Sequence, residues 1–126
     1  MRIVDHTGLA ARNAMFTTAL TRATVVAGIS GWTWGDCCEL QNLWVEPSLR
    51  GRGLATRLLA AAEAEAVTRG CTQTVHFTYA FQARALYEQN GYELVGRVED
   101  FPSGTDVLWY RKRLQPTRDP AEPTRD

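Results

Sequence analysis

Arg50, Gly51, Arg52 and Gly53 lie between two segments of different periodicity, and their types suit the binding of a phosphate or pyrophosphate. Leu43, Trp44 and Val45 close an apolar, strand-like run, Pro47 ends it, and Leu54 opens a helical one. Glycines at this corner let the backbone approach a ligand closely and take angles that a side chain would forbid. A helix starting at Leu54 turns the unpaired N–H groups of Leu54, Ala55 and Thr56, with a partial positive charge, toward the same point. The two arginines add mobile positive charge there. The segment reads as an anion-binding strand–loop–helix, weighed against a plainer glycine-rich connection with exposed arginines. A nucleotide P-loop would need Gly-Lys-Ser/Thr and a dinucleotide turn Gly-x-Gly-x-x-Gly, and neither pattern is present here.

The elements that must hold this corner are legible on both sides. Met15 to Leu20 has strand composition, Thr21 to Thr24 reads as a turn, and Val25 to Trp34 is rich in β-branched and aromatic residues. Gly35-Asp36 is a hairpin signal, so Cys37 to Val45 returns as the next strand. Leu54, Leu58, Leu59, Ala62 and Ala66 recur at helical spacing, and Gly70 stops the helix. Thr72 to Thr78 is a strand, Phe81 to Asn90 a second helix, and Glu93 to Glu99 and Thr105 to Leu114 are two further strands. Met1 to Asn13 shows no clear pattern beyond a possible short helix from Leu9. Residues 115–126 hold three prolines and no large apolar side chain, and read as a disordered tail or one borrowed by a neighbour. The expected organisation is one domain over residues 1–114 with an α/β fold, a mixed, mainly antiparallel sheet of about six strands flanked by helices.

Composition narrows the classes of partner. The chain has 126 residues, 14 basic and 14 acidic, for a formal net charge of zero. Bulk electrostatics therefore favours neither nucleic acid nor an anionic membrane. Cys37, Cys38 and Cys71 form an odd set with no metal-ligand spacing, which points to reduced thiols, a cytoplasmic location and no metal.

Two stretches carry a family resemblance. Arg50-x-x-Gly53-x-Ala55, after a Val-x-Pro strand end, resembles the pyrophosphate-binding motif of the GNAT N-acetyltransferases (Gln/Arg-x-x-Gly-x-Gly/Ala). Ala83-x-x-Leu86-Tyr87-Glu88-x-x-Gly91-Tyr92 resembles a second segment of that family. The resemblance covers roughly residues 14–114, and the closing Phe101-Pro102-Ser103-Gly104 and Arg111 to Leu114 are similar to small bacterial members of unassigned substrate. It implies the GNAT acyl-CoA N-acyltransferase fold, with acetyl-CoA as co-substrate. Two departures stand out. Fewer than 15 residues precede Met15, so the helical N-terminal region that helps form the family's acceptor pocket is expected to be shortened. Ala80 stands where the family often has asparagine.

The resemblance further implies transfer of an acetyl group to a primary amine of a small molecule or peptide, by direct attack in a ternary complex. It places Leu43, Trp44 and Val45 along the pantetheine arm, with the Val45 backbone N–H polarising the thioester carbonyl. Arg50, Gly51, Arg52, Gly53, Leu54, Ala55 and Thr56 would hold the pyrophosphate. Tyr87 would protonate the departing thiolate, against the plain alternative of a core aromatic. Glu39 is the candidate base, on a strand whose alternation sets Glu39, Gln41, Leu43 and Val45 on one face. Glu46 and His76 are rivals, and the amine could instead lose its proton to water. Trp32, Trp34 and Trp44 read mainly as core, one of them alternatively lining an acceptor pocket. Two other readings remain open: a non-catalytic coenzyme A-binding module, and a homodimer in which the partner chain completes the acceptor site.

Overall fold

The computed structural model describes residues 2–5, 14–22, 24–79 and 84–115. Seven strands form one sheet: β1 (Arg2–Asp5), β2 (Ala14–Arg22), β3 (Thr24–Trp34), β4 (Cys37–Val45), β5 (Gln73–Tyr79), β6 (Glu93–Val98) and β7 (Val107–Arg113). Their order is β1-β2-β3-β4-β5-β7-β6, and among these described strands β4 with β5 is the one parallel pair. Helix α1 (Leu54–Thr68) makes the crossover between those two strands, and α2 (Arg84–Gln89) lies between β5 and β6. The seventh strand is β1, antiparallel to β2 at the sheet edge. Its four residues are too few for an alternation to show, which is why the sequence suggested six. The expected turn at 21–24 is also tighter than anticipated, since β2 runs to Arg22 and β3 starts at Thr24. Phe81, the expected start of the second helix, lies outside the described residues, as do Ala80, Ala83 and the tail from 116 onward.

Both described helices pack on the same face. Leu54, Leu58, Leu59, Ala62 and Ala66 of α1 meet Leu20, Ala27, Ile29 and Leu40 of the sheet. Tyr87 of α2 stacks on Tyr110 of β7, with ring centroids 5.7 Å apart. The Tyr92 hydroxyl donates to Glu63 on α1 (3.0 Å) and so accepts from Thr74 on β5 (2.9 Å). The tyrosine that closes the second sequence motif is thus a structural tie between helix and sheet.

Strand β4 does not keep its alternation. Asn42 takes φ +50°, and the β3–β4 register slips between Gly28 and Ser30. A bulge of this kind inserts one residue and returns the following side chains to the other face. Glu39, in register with Trp32 and Val75, and Gln41, in register with Ser30, face away from the helices. Leu43 and Val45 pack against the core on the helix side. The expectation that all four share one face is therefore overturned. The tryptophans are corrected too: Trp32 and Trp34 stand on the open face, 42% and 73% exposed, and Trp44 is 46% exposed, so none of the three is in the core.

Candidate active site

The β4–β5 ladder holds only from Cys37–Gln73 to Leu40–His76, and beyond it the two strands part. A parallel pair lacking its later rungs leaves backbone groups of β4 without a strand partner on that side. The Glu46 N–H donates to Val26 on β3 (2.8 Å). Since successive strand N–H groups point in opposite directions, the Val45 N–H turns toward the gap. The carbonyl of Val45 meanwhile accepts from Arg50 Nε at 3.3 Å. That bond ties the loop to the strand end and sets the Arg50 guanidinium at the corner.

The gap widens into a cavity of about 750 Å³ between β4, the loop, the start of α1 and α2. Its wall includes Leu43, Trp44, Val45, Arg50, Gly51, Gly53, Leu54, Ala55 and Thr56, with Tyr87 across from them. Among the described residues no acidic side chain lines it, and Arg50 supplies a positive one. Arg52 does not line it, although the sequence reading grouped it with the others. Gly51 and Gly53 adopt φ of +80° and +77°, and a Cβ on either would meet no atom within 4 Å. Gly53 caps α1 in the left-handed conformation, leaving the first N–H groups of the helix directed at this cavity. An extended anionic ligand with an apolar arm fits such a wall: phosphates at the loop and helix start, the arm along β4.

Tyr87 is 1% exposed, and its hydroxyl lies 3.0 Å from His76 Nε2. Burial raises the Tyr87 pKa above that of an ordinary phenol. Burial likewise pushes the His76 imidazolium down to about 4, against hydrogen bonding from the Phe77 backbone that acts the other way; among the described residues no atom meets hydrogen-bond geometry at Nδ1. His76 lines neither this cavity nor the smaller one that adjoins it, and faces Tyr87 behind the first, out of direct reach of an amine there. Sequence reasoning missed this pairing, because nothing in either segment marks one as the partner of the other. It also missed Leu49, Thr78, Leu86 and Gln89 in the cavity wall.

Acid sensitivity follows from His76. In the unfolded chain it protonates near pH 6.5, in the folded one near 4. Above 6.5 both states are neutral; as the pH falls toward 4, only the unfolded state gains the proton. We expect the native state to lose up to about 3 kcal/mol across that window. Urea melts of wild type and His76→Gln between pH 4 and 7 check this, and parallel pH dependences would refute it.

A second cavity of about 450 Å³ is lined by Gln41, Asn42, Leu43, Phe77, Thr78 and Tyr79. It shares Leu43 and Thr78 with the first, so the two meet at the parted strands. Glu39 lines neither cavity but lies on the face that carries Gln41. Burial pushes the Cys38 thiol up to about 12, and Cys71 is buried as well. Among the described residues no group of three His, Cys, Asp or Glu side chains could hold a metal ion, and no helix is long and apolar enough to cross a membrane.

The sequence profile of the Acetyltransferase (GNAT) family matches residues 4–92. The chain is similar to acetyltransferase Atu2258 of Agrobacterium fabrum, 36% identical over 91 residues that make up 72% of this chain and 66% of that protein. It is also similar to blasticidin-S acetyltransferase of Streptomyces morookaense, 37% identical over 87 residues, 66% of this chain and 62% of that one. The chain thus spans about two thirds or less of the length of these relatives. Among solved structures, an acetyltransferase from Bacillus cereus superposes with a TM-score of 0.77 at 27% identity, over 86% of this chain and 80% of the other.

Proposed function

Because the chain belongs to the GNAT acetyltransferase family, whose fold it has, we propose that it moves the acetyl group of acetyl-CoA to a primary amine. The observation that carries this reading is that the glycine loop, the parted strands and Tyr87 all border one cavity. Coenzyme A pyrophosphate would lie on the Gly51–Thr56 corner, and the pantetheine along β4. The thioester carbonyl would then accept from the Val45 N–H. The amine would come through the second cavity from the open face, where the two cavities share Leu43 and Thr78. Its nitrogen attacks the carbonyl carbon, the C–S bond breaks, and the Tyr87 proton goes to the thiolate. The extra proton on the new amide nitrogen returns to Tyr87 through water, so the cycle closes without a further reactant. Attack is direct, since neither buried cysteine is placed as a nucleophile and Cys37 lines neither cavity. Glu39, on the acceptor side, is the carboxylate proposed to take the ammonium proton through water and to release it to solvent before the next turnover.

Binding is tested first, without an acceptor. Coenzyme A at a hundredfold excess over its Kd should stabilise the native state by about 2.7 kcal/mol and raise Tm by roughly 10 °C. Acetyl-CoA should do nearly the same. No shift with either ligand at millimolar concentration would rule the reading out. Thiol release is then followed against polyamines, aminoglycosides, amino acids, peptide N-termini and blasticidin S, which one relative is named for. Binding without thiol release for any amine would favour the non-catalytic module.

The exposed Trp32 and Trp34 favour a second reading, in which a partner chain completes the acceptor site from the open face. Light scattering separates the two, since a fully active monomer would dismiss the dimeric form.

A further inference from the structure

Tyr87 and His76 form a buried pair whose proton arrangement bears on the reaction proposed above. The two rings lie 4.6 Å apart at 32°, and Tyr87 Oη is 3.0 Å from His76 Nε2. One hydrogen serves that contact, and it can belong to either residue. If Tyr87 donates to His76, its proton is committed away from the cavity and the hydroxyl cannot protonate a thiolate. If His76 donates, the phenol proton is free to point into the cavity that Tyr87 lines.

The other imidazole nitrogen decides between these. His76 Nδ1 is buried and has no hydrogen-bond partner among the described residues. Carrying the hydrogen, Nδ1 would be an orphaned buried donor, whereas without it the atom is an unfilled acceptor, the more tolerable of the two. We infer that His76 is a positioning residue: its Nε2–H donates to Tyr87 Oη, aims the phenol proton at the cavity and holds the oxygen once that proton has left. This rests on the acetyl-transfer reading and gives His76 a role other than base.

The same bond answers a difficulty in using Tyr87 as an acid. Burial makes its phenolate harder to form. A donor 3.0 Å from the oxygen offsets part of that penalty at the moment of proton transfer, when the O–H bond breaks and the S–H bond forms. His76 keeps its own proton throughout, so the balance of the reaction is unchanged. The groups facing the imidazole are the phenols of Tyr87 and, through the β5–β7 register, Tyr110, whose hydroxyl lies 3.5 Å from Glu88 Oε1.

The tautomer can be read in the wild-type protein by long-range ¹H–¹⁵N correlation of the histidine ring nitrogens near pH 7. Hydrogen on Nε2 is the expected result, and hydrogen on Nδ1 overturns the inference whether or not the chain binds coenzyme A. Kinetics supply the second arm, with the fastest amine of the panel as acceptor, or water if none turns over. His76→Phe should lower kcat about 10- to 100-fold, leave the coenzyme A Kd within about twofold, and be largely rescued by His76→Gln, which restores an N–H donor. In a Tyr87→Phe background the His76→Phe loss should vanish. Full additivity of the two losses would overturn the positioning role, while absent coenzyme A binding would instead count against the acetyl-transfer reading.

Discussion

Gly53→Val is expected to weaken coenzyme A binding at least about 100-fold, a loss of roughly 2.7 kcal/mol, in a protein that still folds. Two effects act together. Gly53 holds φ +77° at the N-cap of α1, a conformation that strains any L side chain and a β-branched one most. Its Cβ position is open space in the cavity wall, so the added side chain fills the volume proposed for the pyrophosphate. The backbone strain costs about 1–2 kcal/mol of a stability usually several times larger. Gly53→Ala carries most of that strain with less bulk, so comparing the two separates backbone geometry from obstruction. Arg50→Ala should do less harm, because the helix-start donors remain, although loosening the Arg50–Val45 bond relaxes the loop. Isothermal titration with coenzyme A gives the order. If Arg50→Ala proves the more damaging, side-chain charge rather than loop geometry holds the ligand.

Tyr87→Phe should lower kcat by roughly ten- to a thousandfold while coenzyme affinity stays nearly constant. The ring keeps its stacking on Tyr110 and its edge contact with Tyr92. The lost interaction matters only when negative charge develops on sulfur. Stability should also fall, by about 1–3 kcal/mol, because the variant strands His76 Nε2 in a buried site. A core tyrosine without a chemical role would show the stability loss alone. Turnover at the wild-type rate, on an acceptor whose chemistry limits the rate, would remove Tyr87 from the mechanism and leave the thiolate to water.

How much of this could be read in advance depended on the range of the interaction. The Gly51–Gly53 corner, the helix from Leu54 and its stop at Gly70 are local features, set by backbone freedom and by apolar spacing along one segment. They were legible because each rests on a few consecutive residues.

What the tertiary structure alone decided comes from register and pairing. A bulge at Asn42 puts Leu43 and Val45 on the helix side, away from Glu39 and Gln41. An unbroken period of two predicts the reverse, and a single extra residue is invisible to that count. The meeting of Tyr87 with His76, eleven positions apart on α2 and β5, depends on where α2 lands on the sheet. The parted strands depend on how far the β4–β5 ladder runs. By itself the sequence determined the glycine corner between strand and helix, and its family resemblance marked Tyr87 as the candidate acid. Only the packed sheet decided how far β4 and β5 run together and which side chain meets Tyr87, since those depend on contacts between distant segments that no local period encodes.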